Sequence, residues 1–212
     1  MAASPDLIAL AHDERTDLLA LLRTLTPEQW QAPTLCAGWT VRDVVAHVIS
    51  FDGLSPVGLL GTIARGRLSF PRMNDVALHR YAGHQPAQLI DLLARRLTPR
   101  GITATFGGAV GLTDALIHHQ DIRRPLGLPR DVPAERTVPA LDFALTAPTL
   151  PSRRHVEDLR LIATDANWAH GSTTAPRIDG PAEALLLAVA GRPAALSDLT
   201  GPGVAVLTAR RG

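Results

Sequence analysis

The sequence of 212 residues has a single cysteine, no lysine and few aromatic side chains. One cysteine, Cys36, excludes an internal disulfide and a cysteine-rich zinc site, and is typical of a reducing compartment. We therefore expect a cytoplasmic protein. The basic side chains other than histidine are all arginines, scattered or in pairs, and the formal net charge is +1. Because no basic stripe results, nucleic acid is not expected as a partner.

Long hydrophobic runs are also missing. No apolar stretch reaches the roughly 18 to 20 residues that a membrane-spanning helix needs, so we expect no membrane partner. Charged residues interrupt the apolar pattern of the N-terminal segment, which is typical of an amphipathic helix and not of a signal peptide. Hydrophobic residues make up 46% of the chain and charged residues 19%, which indicates a globular protein with a substantial core.

Helical patterns occupy the first two-thirds of the chain. Leucines recur close to helical spacing from Leu7 to Leu25, which predicts a long first helix. Thr26 and Thr40 each stand where a side chain can cap a following helix. Further helices are predicted from Pro86 and from the region of residues 111–114.

Proline and glycine interrupt two other segments. Residues 59–74 are predicted as a broken helix or a long loop, and Pro139 is predicted to open a short helix that reaches about Ala147.

The pattern changes at about residue 151. Residues 159–164 are rich in β-branched and apolar side chains, residues 180–191 predict one apolar helix, and residues 203–209 predict a short final strand. The sequence thus predicts a mainly α protein, with a helical region over 1–150 and a small α+β unit over 151–212.

Asp114 and His118 lie four residues apart in a predicted helix, and His47 lies in an earlier one. Side chains at i and i+4 share one helix face, so a carboxylate and an imidazole at this spacing can bind one metal ion. Three nitrogen and oxygen ligands leave a zinc-like ion with an open position, as in catalytic sites. The alternatives are a hydrogen-bonded core histidine for His47 and a carboxylate favoured by the helix dipole for Asp114.

Asp121 follows His118 by three residues on the same face, where it could orient a metal ligand or act on protons. The alternative is a surface salt bridge with Arg123 or Arg124. His119 points roughly 100° away from His118 and is expected to lie outside the site. Packing roles are expected for Cys36 and for Trp39 in the segment before Thr40.

Three segments carry a family resemblance in register: TLCAGWTVRDVVAHV at 34–48, DALIHHQDIRRPLG at 114–127, and LIATDANWAHG with IDGPAEALLLAVAGR within 161–192. They resemble the mycothiol-dependent maleylpyruvate isomerase family, whose N-terminal part is a DinB-like four-helix bundle. The resemblance implies a divalent metal, zinc foremost, bound by His47, Asp114 and His118. The family pattern often has glutamate where this chain has Asp114.

The resemblance also implies chemistry. Mycothiol would be activated as a thiolate to attack a small electrophilic substrate, in an isomerase or a transferase, and a homodimer is the implied assembly. Arg192 would contact the acidic thiol cofactor or a substrate carboxylate, the alternative being an ordinary arginine near a helix C-terminus. Two other functions stay open: a non-catalytic module that binds a small ligand, and a metal-dependent hydrolase in which the open position activates water.

Overall fold

The computed structural model describes residues 5–52, 54, 56–67, 69–147, 150 and 152–210. The first four residues of the expected N-terminal helix and Pro151, at the start of the expected second unit, lie outside the described residues. The chain divides into two compact units, Met1–Pro129 and Arg130–Gly212. This boundary lies earlier than residue 150, because the helix that follows Pro133 packs against the apolar helix of the second unit.

Helices dominate the first unit. Its α-helices are α1 (Leu7–Leu22), α2 (Pro27–Trp30), α3 (Val41–Ser50), α4 (Pro56–Arg65), α5 (Phe70–His79), α6 (Pro86–Ala94) and α7 (Ala109–Arg123). Two short 3-10 segments, Gly101–Ala104 and Phe106–Gly108, lead into α7.

The second unit mixes helices and strands. Its elements are α8 (Ala134–Ala144), α9 (Ser152–Val156), β1 (Arg160–Ala163), β2 (Ala169–His170), β3 (Arg177–Gly180), α10 (Ala182–Val189), the 3-10 segment Pro193–Asp198 and α11 (Gly203–Ala209).

Four helices of the first unit form a bundle. Helix α1 packs against α6 and α7, and α3 packs against the same two helices, which closes the four around a common core. Much of that core consists of fully buried aliphatic residues, among them Leu18, Leu22, Val44, Val45, Ile49, Leu89, Leu93 and Ile122. The mainly α fold class with a four-helix bundle and a small α+β unit is confirmed.

The predicted caps set where two helices begin. Thr26 accepts from the backbone N–H of Gln29 while the Gln29 side chain accepts from the backbone N–H of Thr26. Thr40 and Asp43 form the same reciprocal pair at the start of α3. Since the start of α3 is fixed at Val41, His47 lies about two turns inside the bundle.

The broken helix predicted over 59–74 is observed: α4 ends at Arg65 and α5 begins at Phe70, and between them Arg67 has a φ of 51°. Two other predicted elements differ in the structure. Pro139 lies inside α8, not at its start; the helix begins after Pro133, and the ring removes only one backbone donor. Residues 203–209 form helix α11 and not a strand, because burial falls on Gly203 and Leu207, one helical turn apart.

The sheet of the second unit has the strand order β2-β1-β3. Strand β1 pairs with β2 antiparallel, with Leu161 opposite His170, and with β3 parallel, with Leu161 opposite Ile178. Helix α10 packs against β1 and α8, so its apolar residues are buried as the continuous hydrophobic run predicted. Over the described parts of both units, no helix combines the length and the apolar character needed to cross a membrane.

Candidate metal centre

His47, Asp114 and His118 meet inside the bundle, where α3 packs against α7. His47 Nε2 lies 3.3 Å from Asp114 Oδ1, and His118 Nε2 lies 3.5 Å from the same oxygen. The two imidazole rings are 4.7 Å apart between centroids and nearly perpendicular, at 74°. The predicted ligands from two distant segments are thus neighbours in the folded chain.

The donor atoms have the separations that a metal requires. One ligand atom from each of the three residues lies within 4.8 Å of the others. A tetrahedral ion with ligands at about 2.0–2.1 Å holds its nitrogen and oxygen donors roughly 3.3 Å apart. The two N–O distances match this value, so the residues present fit a zinc-like ion.

Burial and the attraction between charges together set the protonation of this cluster when no metal is bound. His47 and His118 are 9% and 8% exposed, whereas the side chain of Asp114 is 25% exposed and forms the open side of the cluster. Burial alone would lower the pKa of His118, but the Asp114 carboxylate and hydrogen bonds to Asp121 and Cys36 raise this pKa to about 10. The metal-free centre therefore carries a protonated His118 at neutral pH.

Asp114 shows the opposite shift. Burial would raise its pKa, but attraction by His118 and the hydrogen bond with His47 outweigh burial and lower the pKa to about 2. The carboxylate is therefore ionised across the physiological range, which is the state a metal needs.

Asp121 supports His118 from the opposite side of the ring. Its side chain is fully buried, and its Oδ2 lies 2.9 Å from His118 Nδ1. A carboxylate that accepts the other ring N–H of a ligating histidine fixes the tautomer and the orientation of the ring. The contact has the geometry that the orienting role suggested by the sequence requires, and the side chain does not lie on the surface.

Cys36 reaches the same group, which the sequence did not indicate. Its thiol donates to Asp121 Oδ2 at 3.0 Å, and its sulfur lies 3.7 Å from His118 Nδ1. The backbone N–H of Leu35 donates to the carbonyl of Asp121 at 3.1 Å, which holds the 34–39 loop against α7. The one hint in the sequence was that Cys36 lies in the loop directly before α3, the helix that carries His47.

Aromatic rings line the cluster beside the histidines. Trp39 lies 5.1 Å from His47 and 6.4 Å from His118, and Phe51 meets the His47 ring edge-on at 5.9 Å. The loop that carries Trp39 is closed by its own hydrogen bonds, from Thr34 to the Trp39 carbonyl and from Trp39 to the Cys36 carbonyl. Trp39 therefore borders the candidate site, where the sequence suggested only a core role.

His119 points to another part of the bundle. Its Nδ1 lies 2.8 Å from Glu14 Oε1, and the Arg123 side chain donates to its Nε2 at 2.8 Å. Both His119 and Glu14 are fully buried, so this contact joins α1 to α7. Arg192 belongs to the second unit, where its guanidinium donates to the carbonyl of Ala190 at 2.8 Å.

A buried ion pair joins α1 to the end of α3. Arg15 Nη1 donates to Asp52 Oδ2 at 2.6 Å, and both side chains are fully buried. The hydroxyl of Thr103 and the backbone N–H of Arg100 donate to the other Asp52 oxygen. Donors from three residues on one carboxylate satisfy a charge that would otherwise be unstable in the core.

The fold and the cluster together define a class: a four-helix bundle with a His-Asp-His candidate metal centre, followed by a small α+β unit. Residues 11–101 match the family described as mycothiol maleylpyruvate isomerase N-terminal domain. The match of this part of the chain to that family confirms the resemblance seen in the sequence.

Two solved structures have the same fold. The crystal structure of the mycothiol-dependent maleylpyruvate isomerase superposes with a TM-score of 0.62 at 15% identity, covering 95% of this chain and 96% of that chain. A histidine-to-alanine mutant of that enzyme gives a TM-score of 0.59 at 14% identity over the same shares. Two uncharacterized proteins of Mycobacterium tuberculosis, from strains CDC 1551 and H37Rv, are 28% identical over 149 residues, 64% of this chain and 76% of theirs.

Proposed function

We propose that this protein is an enzyme that uses a divalent metal, most suitably zinc, together with mycothiol. It would either isomerise a small electrophilic substrate or transfer the thiol to that substrate. The observation that carries the proposal is the approach of His47, Asp114 and His118 donor atoms to within 4.8 Å of one another. The match of residues 11–101 to the mycothiol maleylpyruvate isomerase N-terminal family supports mycothiol as the thiol.

The bound ion would supply Lewis acidity that converts a coordinated thiol to a thiolate at neutral pH. His47, Asp114 and His118 would hold that ion. Asp121 would accept the Nδ1 proton of His118 and so keep the Nε2 lone pair directed at the ion. Trp39 and Phe51 would limit the access of water beside His47, while the partly exposed side of Asp114 leaves the thiol and substrate an approach.

The proposed reaction begins when the thiol loses its proton and its sulfur bonds to one carbon of an activated double bond. In an isomerase, the resulting single bond rotates, and departure of the thiolate restores the double bond with the opposite geometry. In a transferase, the adduct takes up a proton and is kept. Arg192 is proposed to contact an acidic group of the thiol or of the substrate. The cytoplasm remains the proposed compartment and a homodimer the proposed assembly.

The test compares the wild-type chain with His118→Ala and with a control, His12→Ala, whose side chain is 42% exposed on α1. Elemental mass spectrometry should find about one equivalent of metal in the wild type and the control, and none in His118→Ala. Mycothiol-dependent isomerisation of maleylpyruvate is the first assay, followed by transfer to other electrophiles. Binding of small ligands by a metal-free wild type without turnover would replace the proposal with the non-catalytic module. Turnover of an ester or amide without thiol would replace it with a hydrolase.

A further inference from the structure

A second set of metal donors lies on the other side of His118. Cys36 Sγ, His118 Nδ1 and Asp121 Oδ2 lie within 4.8 Å of one another and offer a thiolate, an imidazole and a carboxylate. The three distances are 3.0 Å from sulfur to oxygen, 3.7 Å from sulfur to nitrogen, and 2.9 Å from nitrogen to oxygen. We call these residues the thiolate set, and His47, Asp114 and His118 the imidazole set.

The thiolate set has the dimensions of a tetrahedral site. An ion with sulfur at about 2.3 Å and nitrogen or oxygen at about 2.0–2.1 Å holds these donors roughly 3.3–3.6 Å apart. The sulfur-to-nitrogen distance of 3.7 Å lies just above this range, and the other two distances must each open by about half an ångström. A thiolate ligand favours softer cations than a carboxylate or a second imidazole does.

His118 belongs to both sets through different nitrogens. A neutral imidazole has one lone pair, on one nitrogen, and carries its proton on the other. When Nε2 ligates, the proton on Nδ1 has Asp121 as its acceptor at 2.9 Å. When Nδ1 ligates, the proton on Nε2 has Asp114 at 3.5 Å. In either state, a carboxylate is therefore close to the ring nitrogen that carries the proton.

We propose that the thiolate set is a second metal position, selective for thiophilic divalent cations, whose occupation excludes a metal from the imidazole set because the two share His118. A cation in the thiolate set displaces the thiol proton of Cys36 to solvent and leaves His47 and Asp114 without their third ligand. The same chain thus binds one ion at a time in either of two positions. The consequence for activity, inhibition by thiophilic ions, rests on the function proposed above, whereas the binding itself does not.

Cadmium is the probe, because a cadmium–thiolate bond gives an ultraviolet charge-transfer band that imidazole and carboxylate ligands do not produce. The full-length metal-free protein is titrated as wild type, Cys36→Ser, His47→Ala and His118→Ala. We expect the band to saturate at about one equivalent in the wild type and in His47→Ala. It should be absent in Cys36→Ser and strongly weakened in His118→Ala. Circular dichroism of each variant verifies that the fold is retained.

Competition tests the exclusion. Cadmium should release zinc from the wild type equivalent for equivalent, so that total bound metal stays near one, whereas Cys36→Ser should keep its zinc at the same cadmium concentration. Two equivalents bound together in the wild type would overturn the shared-ligand argument. A missing band, or a band unchanged in His118→Ala, would overturn the second position itself. If wild type binds no zinc yet shows the Cys36-dependent band, the proposed function fails while this inference stands.

Discussion

Replacement of Asp121 by asparagine tests whether this buried carboxylate tunes the metal centre. Asp121→Asn keeps the size of the side chain and an oxygen that can still accept from His118 Nδ1, but it removes the negative charge. Loss of such a supporting group typically weakens metal binding 10- to 100-fold, which is about 1.4 to 2.7 kcal/mol. Because the side chain is fully buried and only 2.9 Å from His118, we expect an effect within this range.

The loss should grow with pH. The pKa of His118 is raised to about 10, first by Asp114 and then by its hydrogen bond to Asp121, so zinc must displace a proton from the wild type at neutral pH. Asparagine weakens proton binding as well as metal binding, and the two changes partly cancel at neutral pH. At higher pH the wild-type proton is more easily removed, so the full difference in zinc affinity emerges.

The assay is a zinc competition against a chromophoric chelator at several pH values, with Asp91→Asn on the exposed side of α6 as the matched control. Circular dichroism and urea unfolding would show whether both variants keep the fold. Equal zinc affinity in Asp121→Asn and wild type throughout the pH range would refute the orienting role of Asp121.

Three further predictions concern stability. The free energy of unfolding of the metal-free protein should fall as pH rises from the ordinary histidine pKa of 6.5 toward about 10, because only the folded state holds the His118 proton in this range. Urea unfolding should show this loss, and a free energy that does not change with pH in this range would contradict the prediction. Asp52→Asn should lower the free energy of unfolding by roughly 3–5 kcal/mol in the same assay, since it leaves Arg15 charged and buried. A loss near zero would show that the Arg15–Asp52 ion pair does not contribute to stability. Gly108→Ala should lower the melting temperature, because the φ of Gly108 is +99° and the new Cβ would lie 2.7 Å from the backbone nitrogen of Ile8. An unchanged melting temperature would show that the backbone at the start of α7 adjusts to the new side chain.

Much of the helical architecture could be predicted from local patterns in the sequence. The caps at Thr26 and Thr40, and the apolar spacing of α1 and α10, depend on hydrogen bonds and burial within short stretches, so residue order alone predicts them. The segment 203–209 was predicted wrongly as a strand, because a short apolar run fits either period. Its conformation is decided by which residues face the rest of the unit, and the sequence does not contain that information.

The i and i+4 spacing was enough to place Asp114 and His118 on one face of a helix, and the family resemblance added His47 as a third donor. The approach of His47 to within 3.3 Å of Asp114 could not be predicted from spacing, because this contact depends on how α3 packs against α7 across 67 positions of sequence. The same holds for Cys36, whose sulfur reaches Asp121 only because the 34–39 loop is held against α7. Chain spacing fixes neighbours within one helix, whereas long-range packing fixes neighbours between helices.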